Sequence, residues 1–399
     1  MQLNHQNMNV INRFIFFTIL GIISFPLFSQ DQPDTPSIED RAITTGVPFL
    51  LIAGDARSAG MGDQGVATSV DAYAQQWNPA KYVFSETQQG IGLSYTPYLR
   101  ELADDINLGQ LTYFNRINRR SAFAGSLRVF GLGGVELRQT PQQVPQEVNP
   151  TELSLDGSYA LRLSETFSMA VTGRYIRSDL QFPGSGGDGS AANSFAADIA
   201  AFYRSEEKFY KNFNGRWRIG AKISNIGPKI SYDDAGNDNF IPTNFKAGAG
   251  FDFILDANNK VSTSIEINKL LVPTPKDSNG DGFINQEDDF FTTNEYSAIF
   301  SSWGDAPGGF SEELKEITWA LGAEYWYQDS FAFRLGYFNE SQEKGFRQFA
   351  TLGAGFKFSR INIDTSYLFS TAQGVQNPLE GTLRFSLTFN FGEDTYIEY

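Results

Sequence analysis

The sequence predicts an all-β fold: a transmembrane antiparallel β-barrel of about fourteen strands with an N-terminal hatch inside its lumen. Three observations predict it. From about residue 90 onward, segments of eight to ten residues alternate between apolar and polar side chains. The connections between these segments alternate between short and long. The chain opens with an export signal, yet no later stretch offers the roughly 20 continuous apolar residues that a spanning helix requires.

Residues 1–30 read as a signal peptide. Arg13 precedes the apolar run FIFFTILGIISFPLF (14–28), and small Ser29 stands near the break. The alternative, an N-terminal anchor helix, is disfavoured by the short run and by Pro26. Residues 31–89 do not alternate. They are rich in Gly and Ala, with one helix-like piece at 69–77 ended by Asn78 and Pro79. Small residues let backbone approach backbone, and a wide barrel otherwise leaves a water channel, so this segment reads as a hatch inside the lumen. The alternative is a periplasmic tail. Phe49, Leu50, Leu51, Ile52, Trp77, Tyr82 and Phe84 argue that the segment is buried.

Residues 90–392 carry the barrel, with strands expected near 90–98, 106–115, 121–130, 151–162, 166–177, 194–204, 215–225, 244–255, 260–269, 316–327, 331–338, 348–358, 361–370 and 381–391. In LRFSLTFNF, Leu383, Phe385, Leu387, Phe389 and Phe391 oppose Arg384, Ser386, Thr388 and Asn390. The apolar set must face lipid. The polar set must face the lumen, including Arg128, Asp156, Arg174, Asp198, Asp252, Glu266, Glu324, Arg334, Asp364 and Arg384. Their mixed signs point to mutual pairing or to pairing with a plug, rather than to an ion-selective ring. A soluble β-sandwich also alternates, but its strands are usually shorter and it explains neither the export signal nor the aromatic last strand. Residues 393–399 form a C-terminal end, expected in the periplasm.

With the N-terminus in the periplasm, the long connections 131–150, 179–193, 226–244 and 270–315 all fall on the cell exterior. They mix turn formers with aromatic residues, and exposed aromatics of this kind often mark interaction surfaces. Phe182, Tyr232, Phe240, Trp303 and Phe310 are the candidate partner-binding residues. The alternative is that they pack the loops against one another.

The longest loop contains DSNGDGFINQED (277–288). Asp277, Asn279, Asp281, the Phe283 carbonyl, Asn285 and Asp288 fall at calcium-ligand spacing, with Gly282 at the turn. No helices flank it in the sequence pattern, and position 12 is Asp288 rather than Glu. It reads as a structural calcium staple, the alternative being an acidic turn that binds nothing. No cofactor is required.

Composition removes several chemistries. The chain has no cysteine, and its single histidine, His5, lies in the signal peptide. Ser-His-Asp hydrolysis and histidine or cysteine metal sites are therefore excluded from the mature chain, and the protein reads as a non-enzyme. A net charge of −15 argues against nucleic acid as a partner.

The run DARSAGMGDQGVATSVDAYAQQWNPAKYVF (55–84), with Asn78, Pro79 and Ala80, resembles the hatch of the FadL-like outer-membrane barrels. Together with GVPFLLIAGDAR (46–57), SNIGPKISY (224–232) and DAPGGFSEELKEI (305–317), it resembles the PorV family of the type IX secretion system of Bacteroidetes. The related PorQ proteins share parts of the hatch. The resemblance implies a shuttle in the outer membrane of a Gram-negative bacterium. Such a shuttle associates with the type IX translocon barrel and receives exported proteins through their C-terminal signal domains. It then delivers them to a cell-surface attachment complex that includes a sortase-like protease. Lipid of the outer membrane is the remaining partner. The competing readings are a FadL-type transporter of hydrophobic small molecules, which needs an apolar pocket along the lumen wall, and a purely structural membrane protein.

Overall fold

The computed structural model describes residues 42–138, 144–180, 191–232, 238–280, 284, 287–372 and 377–392. The expected signal peptide and the C-terminal end at 393–399 lie outside the described residues.

Period-two alternation produces fourteen long strands: β1 (Gln89–Pro97), β2 (Asn107–Arg116), β3 (Ser121–Gly131), β4 (Thr151–Arg162), β5 (Phe167–Asp179), β6 (Ala192–Arg204), β7 (Phe213–Ile226), β8 (Asn244–Ile254), β9 (Asn259–Leu270), β10 (Thr318–Tyr327), β11 (Phe331–Asn339), β12 (Gln348–Phe358), β13 (Ile361–Ser370) and β14 (Leu383–Phe391). Every expected segment falls on one of them, with ends within about two residues. Neighbours pair antiparallel, and β14 returns to β1 in register from Gln89↔Phe391 to Tyr95↔Phe385. The sheet is therefore closed, the condition that lets backbone polar groups cross a bilayer fully bonded.

The two faces separate as the solvent argument requires. On β4, Leu155 and Tyr159 stand exposed on the outer wall while Asp156 and Ser158 are buried inside. All ten charges assigned to the lumen are at most 8% exposed. The short turns collect at one rim and the long connections at the other. One turn departs from the pattern: between β6 and β7 a three-residue strand, Lys208–Tyr210, extends the hairpin by pairing with Phe213–Gly215. The long connections hold small elements of their own, including two minor hairpins and the helices α3 (Asp289–Thr292), α4 (Glu295–Ser301) and α5 (Phe310–Lys315).

The hatch fills the lumen. It runs through a 3-10 turn (Pro48–Leu51), α1 (Ala56–Ala59), α2 (Ala74–Trp77) and a second 3-10 turn (Pro79–Phe84). Tyr82 stacks on Phe114 of β2 at 4.8 Å, and Phe84 packs at 5.9 Å from Phe202 of β6. The small residues serve close approach: a Cβ on Gly60 would lie 3.0 Å from the Gly353 Cα of β12.

Candidate functional site

The hatch is locked by its own buried polar groups. Asp55 caps α1 by accepting from the Ser58 amide at 2.8 Å, and its other oxygen accepts from Trp77 Nε1 at 2.7 Å. Burial, with the charge of Asp71 next in weight, pushes the Asp55 carboxyl up to about 6 against the hydrogen bonds from Ser58 and Trp77. Arg57 leaves α1 to reach both oxygens of Glu324 on β10 and also Asp71 at 2.6 Å. Glu324 also accepts from Arg334 at 2.7 Å, and Arg334 continues to Asp364 at 2.7 Å. Mixed-sign lumen charges thus pair with one another and with the plug. On the other side, Glu266 of β9 accepts from the Gly65 and Val66 amides, each at 2.8 Å.

The Asn-Pro-Ala element is a cap with two further tethers. Asn78 Oδ1 accepts from the Ala80 amide at 3.1 Å, while Nδ2 lies 3.0 Å from the Val66 carbonyl and 3.0 Å from the Ala201 carbonyl of β6. Pro79 starts the 3-10 turn, where a missing N–H costs nothing. The Ala80 carbonyl accepts from Ser168 of β5 at 2.7 Å. Lys81, fully buried, donates to the Gly65 carbonyl and Thr68 Oγ1; desolvation pulls its ammonium down to about 8. Sequence reasoning did not single out Arg57, Asp55 or Lys81. Their signal was charge placed among Gly and Ala in a segment already judged buried.

Toward the long-loop rim, the lumen wall turns apolar and GVPFLLI fills it. Val47, Phe49 and Leu50 pack with Leu108, Phe130 and Ile176. Arg128 of β3 fixes this segment by donating to the carbonyls of Phe49, Leu50 and Ile52. Toward the short-turn rim lies a polar vestibule of about 450 Å³, bordered among others by Arg57, Asp71, Arg218, Asp252, Arg334 and Asp364.

The motif DAPGGFSEELKEI builds a rigid platform on the long-loop rim. Gly309 supplies φ 70 just before α5, a backbone angle that other residues adopt at a cost. Lys269, at the end of β9, joins Glu313 at 3.0 Å and Glu316 at 2.7 Å. Lys344 joins Glu312 at 2.7 Å and Glu316 at 3.0 Å. Thr274 and the Ala306 and Gly308 amides satisfy the remaining oxygens. Anchored from below, α4 and α5 turn side chains outward: Phe300 is 80% and Phe310 78% exposed, with Tyr296, Trp303 and Leu314 about half exposed beside them in sequence.

The predicted loop aromatics divide. Phe310 and Trp303 are on the surface, Trp303 with its ring 5.5 Å from Phe245 on the barrel wall. Phe240 is not available there: it is buried with Val272, Phe290 and Ala298, because the loop's helices need a core of their own. Tyr232 is half-buried against the Val47–Phe49 cluster, its hydroxyl 3.2 Å from Ser178 Oγ. Phe182 lies outside the described residues.

Of the calcium-loop candidates, Asp281, Phe283 and Asn285 lie outside the described residues. Asp277 Oδ1 accepts from the Gly280 amide at 2.6 Å, and Asp288 Oδ1 from the Ser278 and Asn279 amides at 2.7 and 3.3 Å. The loop thus turns its end carboxylates onto its own amides, and the four-residue α3 follows it directly.

Among solved structures, the chain is similar to the CymD monoaromatic hydrocarbon channel, at 14% identity over 86% of this chain and 99% of that one, TM-score 0.47. It is also similar to the toluene transporter TbuX of Ralstonia pickettii, at 13% identity over 86% and 100%, TM-score 0.46. The toluene transporter TodX of P. putida matches at 12% identity over 86% and 100%, TM-score 0.49. No curated protein matches the chain. The family model described as type IX secretion system protein PorV matches residues 35–277, well over half of the sequence, and the chain belongs to that family.

Proposed function

We propose that this protein is a non-enzymatic shuttle of the type IX secretion system in the outer membrane. It binds the C-terminal signal domains of exported proteins at the translocon barrel and passes them to the surface attachment complex and its sortase-like protease. The short turns face the periplasm and the long loops the exterior. One observation carries the reading: the braced long-loop elements expose Phe300, Trp303 and Phe310, and exposed large apolar side chains of this kind are what protein partners cover. The same loop holds a weak structural calcium at 277–288.

The transporter reading asks for an apolar pocket in the lumen. The apolar part of this lumen is occupied by Val47, Phe49 and Leu50, which disfavours that reading. The test is deletion of the gene followed by proteomics of periplasm, cell surface and medium. Exported proteins that accumulate inside, or reach the medium with the signal domain uncleaved, support the shuttle. Normal export with impaired uptake of an apolar compound overturns it in favour of transport.

A further inference from the structure

The outer wall of the barrel carries an apolar groove. Between β7 and β10, near the short-turn rim, the apolar surface opens into a groove of about 620 Å³, within the range of small-molecule sites. Its floor is made of small residues, Ala249 and Gly250 on β8 and Thr263 on β9. One bank is an aromatic ridge of Tyr210, Phe213, Trp217, Phe251 and Phe253; the other is Ile265 and Leu321.

The ridge is built before any ligand arrives. Trp217 meets Phe251 edge-on at 4.8 Å, Phe251 meets Phe253 at 4.7 Å, and Tyr210 stacks on Phe213 at 5.5 Å. Rings that fix one another lose little freedom on binding. The extended β6–β7 hairpin places Tyr210 there. Gly215 permits it: a Cβ at that position would run into the Tyr210 and Phe251 rings.

The same hairpin carries Lys208 and Lys211, both exposed. Of the neighbouring acids, Glu207 and Asp256 are engaged elsewhere, while Glu206 is exposed on the same hairpin. Glu207 holds Arg216 at 3.2 Å and Asn214 at 2.6 Å, and Asp256 accepts from Asn258 and Asn259. Among the described residues neither Lys208 nor Lys211 forms an ion pair, and both stand on the hairpin that carries Tyr210 of the groove. An apolar slot with cationic groups at one end matches an acyl chain with a phosphate at its head. The short-turn rim of a bacterial barrel faces the periplasm, where the leaflet is glycerophospholipid.

We propose that this groove binds one glycerophospholipid. An acyl chain lies between the aromatic ridge and Ile265, and the phosphate sits at Lys208 and Lys211. This site is separate from the lumen and from the long-loop platform, and it stands whether or not the shuttle reading does.

The test uses the full chain, extracted in mild detergent, delipidated, and offered palmitoyl-oleoyl phosphatidylglycerol at equimolar amounts, with occupancy read by native mass spectrometry. The expected result is one retained lipid per barrel, at least fivefold lower occupancy for Ala249→Trp, and several-fold lower occupancy for the Lys208→Gln/Lys211→Gln pair. Leu111→Trp, on the outer face of β2 across the barrel, retains the wild-type value. Heat-dependent gel mobility reports folding of each variant; should Ala249→Trp fail it, Thr263→Phe fills the groove from β9. Equal retention by wild type and a folded groove-filled variant overturns the proposal. So does a wild-type barrel that retains no lipid but copurifies with a second polypeptide that the groove-filled variant releases.

Discussion

Arg57 and Glu324 stand 267 residues apart in sequence and are joined by two parallel hydrogen bonds, Nε to Oε2 at 2.9 Å and Nη2 to Oε1 at 2.8 Å. This fork ties the hatch to β10. Glu324 is 1% exposed and Arg57 8%, so neither group can turn to water if the other is removed.

Replacing Arg57 by Met strips the cation from buried Glu324 and half-buried Asp71, while keeping the side-chain volume. The expected cost is about 3 kcal/mol, the low end for a broken buried pair, because Glu324 loses the fork but keeps Arg334. The loss falls on the hatch: limited proteolysis should cut within 42–88 while the gel mobility of the barrel stays that of the folded form. Arg57→Lys retains one charge without the fork and should lie between. A wild-type protease pattern for Arg57→Met would show that the lock does not rest on this pair.

Asp55 links stability to pH. Its carboxyl is raised from 3.8 to about 6, so the native state holds the proton more tightly than the unfolded chain. Stability from this group is greatest below 3.8, falls as pH rises from about 4 to about 6, and is level above that. The total change is on the order of 1–3 kcal/mol. Asp55→Asn removes the titration but leaves one donor, Ser58 N–H or Trp77 N–H, without its oxygen, at about 1 kcal/mol. Urea midpoints measured from pH 4 to 7 should therefore be flatter for the variant, below wild type near pH 4 and level with or above it near pH 7. An unchanged slope would assign the pH dependence elsewhere.

The strand wall was legible because one physical condition acts on every residue of it: lipid outside, polar lumen inside, with a side-chain period of two. Leu155 against Asp156 and Phe385 against Arg384 carry that condition in the sequence itself. The hatch was legible as buried but not as a mechanism. Arg57 finds Glu324 only through closure of the barrel, and no local pattern encodes a contact across 267 residues. The loops were read least well. Phe240 and Phe310 sit in similar turn-rich contexts, yet one enters a small core with Phe290 and the other faces out. That choice is set by three short helices whose four to seven residues are too few to show a period. The hairpin at Lys208–Tyr210 was missed for the same reason.

The 277–288 loop should respond to calcium in the millimolar range, since Asp at position 12 closes the site less firmly than Glu and extracellular sites bind at about 10⁻⁴ to 10⁻³ M. Added calcium should slow proteolysis between α3 and the end of β9, and a chelator should restore it. Asp277→Ala combined with Asp281→Ala should be cut equally fast in both conditions. Calcium-independent cleavage of the wild type would leave the loop an acidic turn held by Asp288 and its own amides.

Phe300 and Phe310 offer the sharpest separation of function from fold. At 80% and 78% exposure they contribute almost nothing to the core, so Phe300→Ser with Phe310→Ser should leave the melting temperature within about 2 °C of wild type. Partner-facing apolar residues carry a disproportionate share of binding energy, and losing two should weaken association by roughly 2–4 kcal/mol. In cells expressing only the double variant, exported proteins should accumulate in the periplasm or appear in the medium with the signal domain attached, at normal levels of folded barrel. Lys269→Met is the paired control. It breaks the buried bonds to Glu313 and Glu316 that hold α5 in place, so it should lower stability and export together. If the serine variant exports normally while Lys269→Met does not, the platform supports the barrel rather than the partner, and the docking surface lies elsewhere on the long-loop rim.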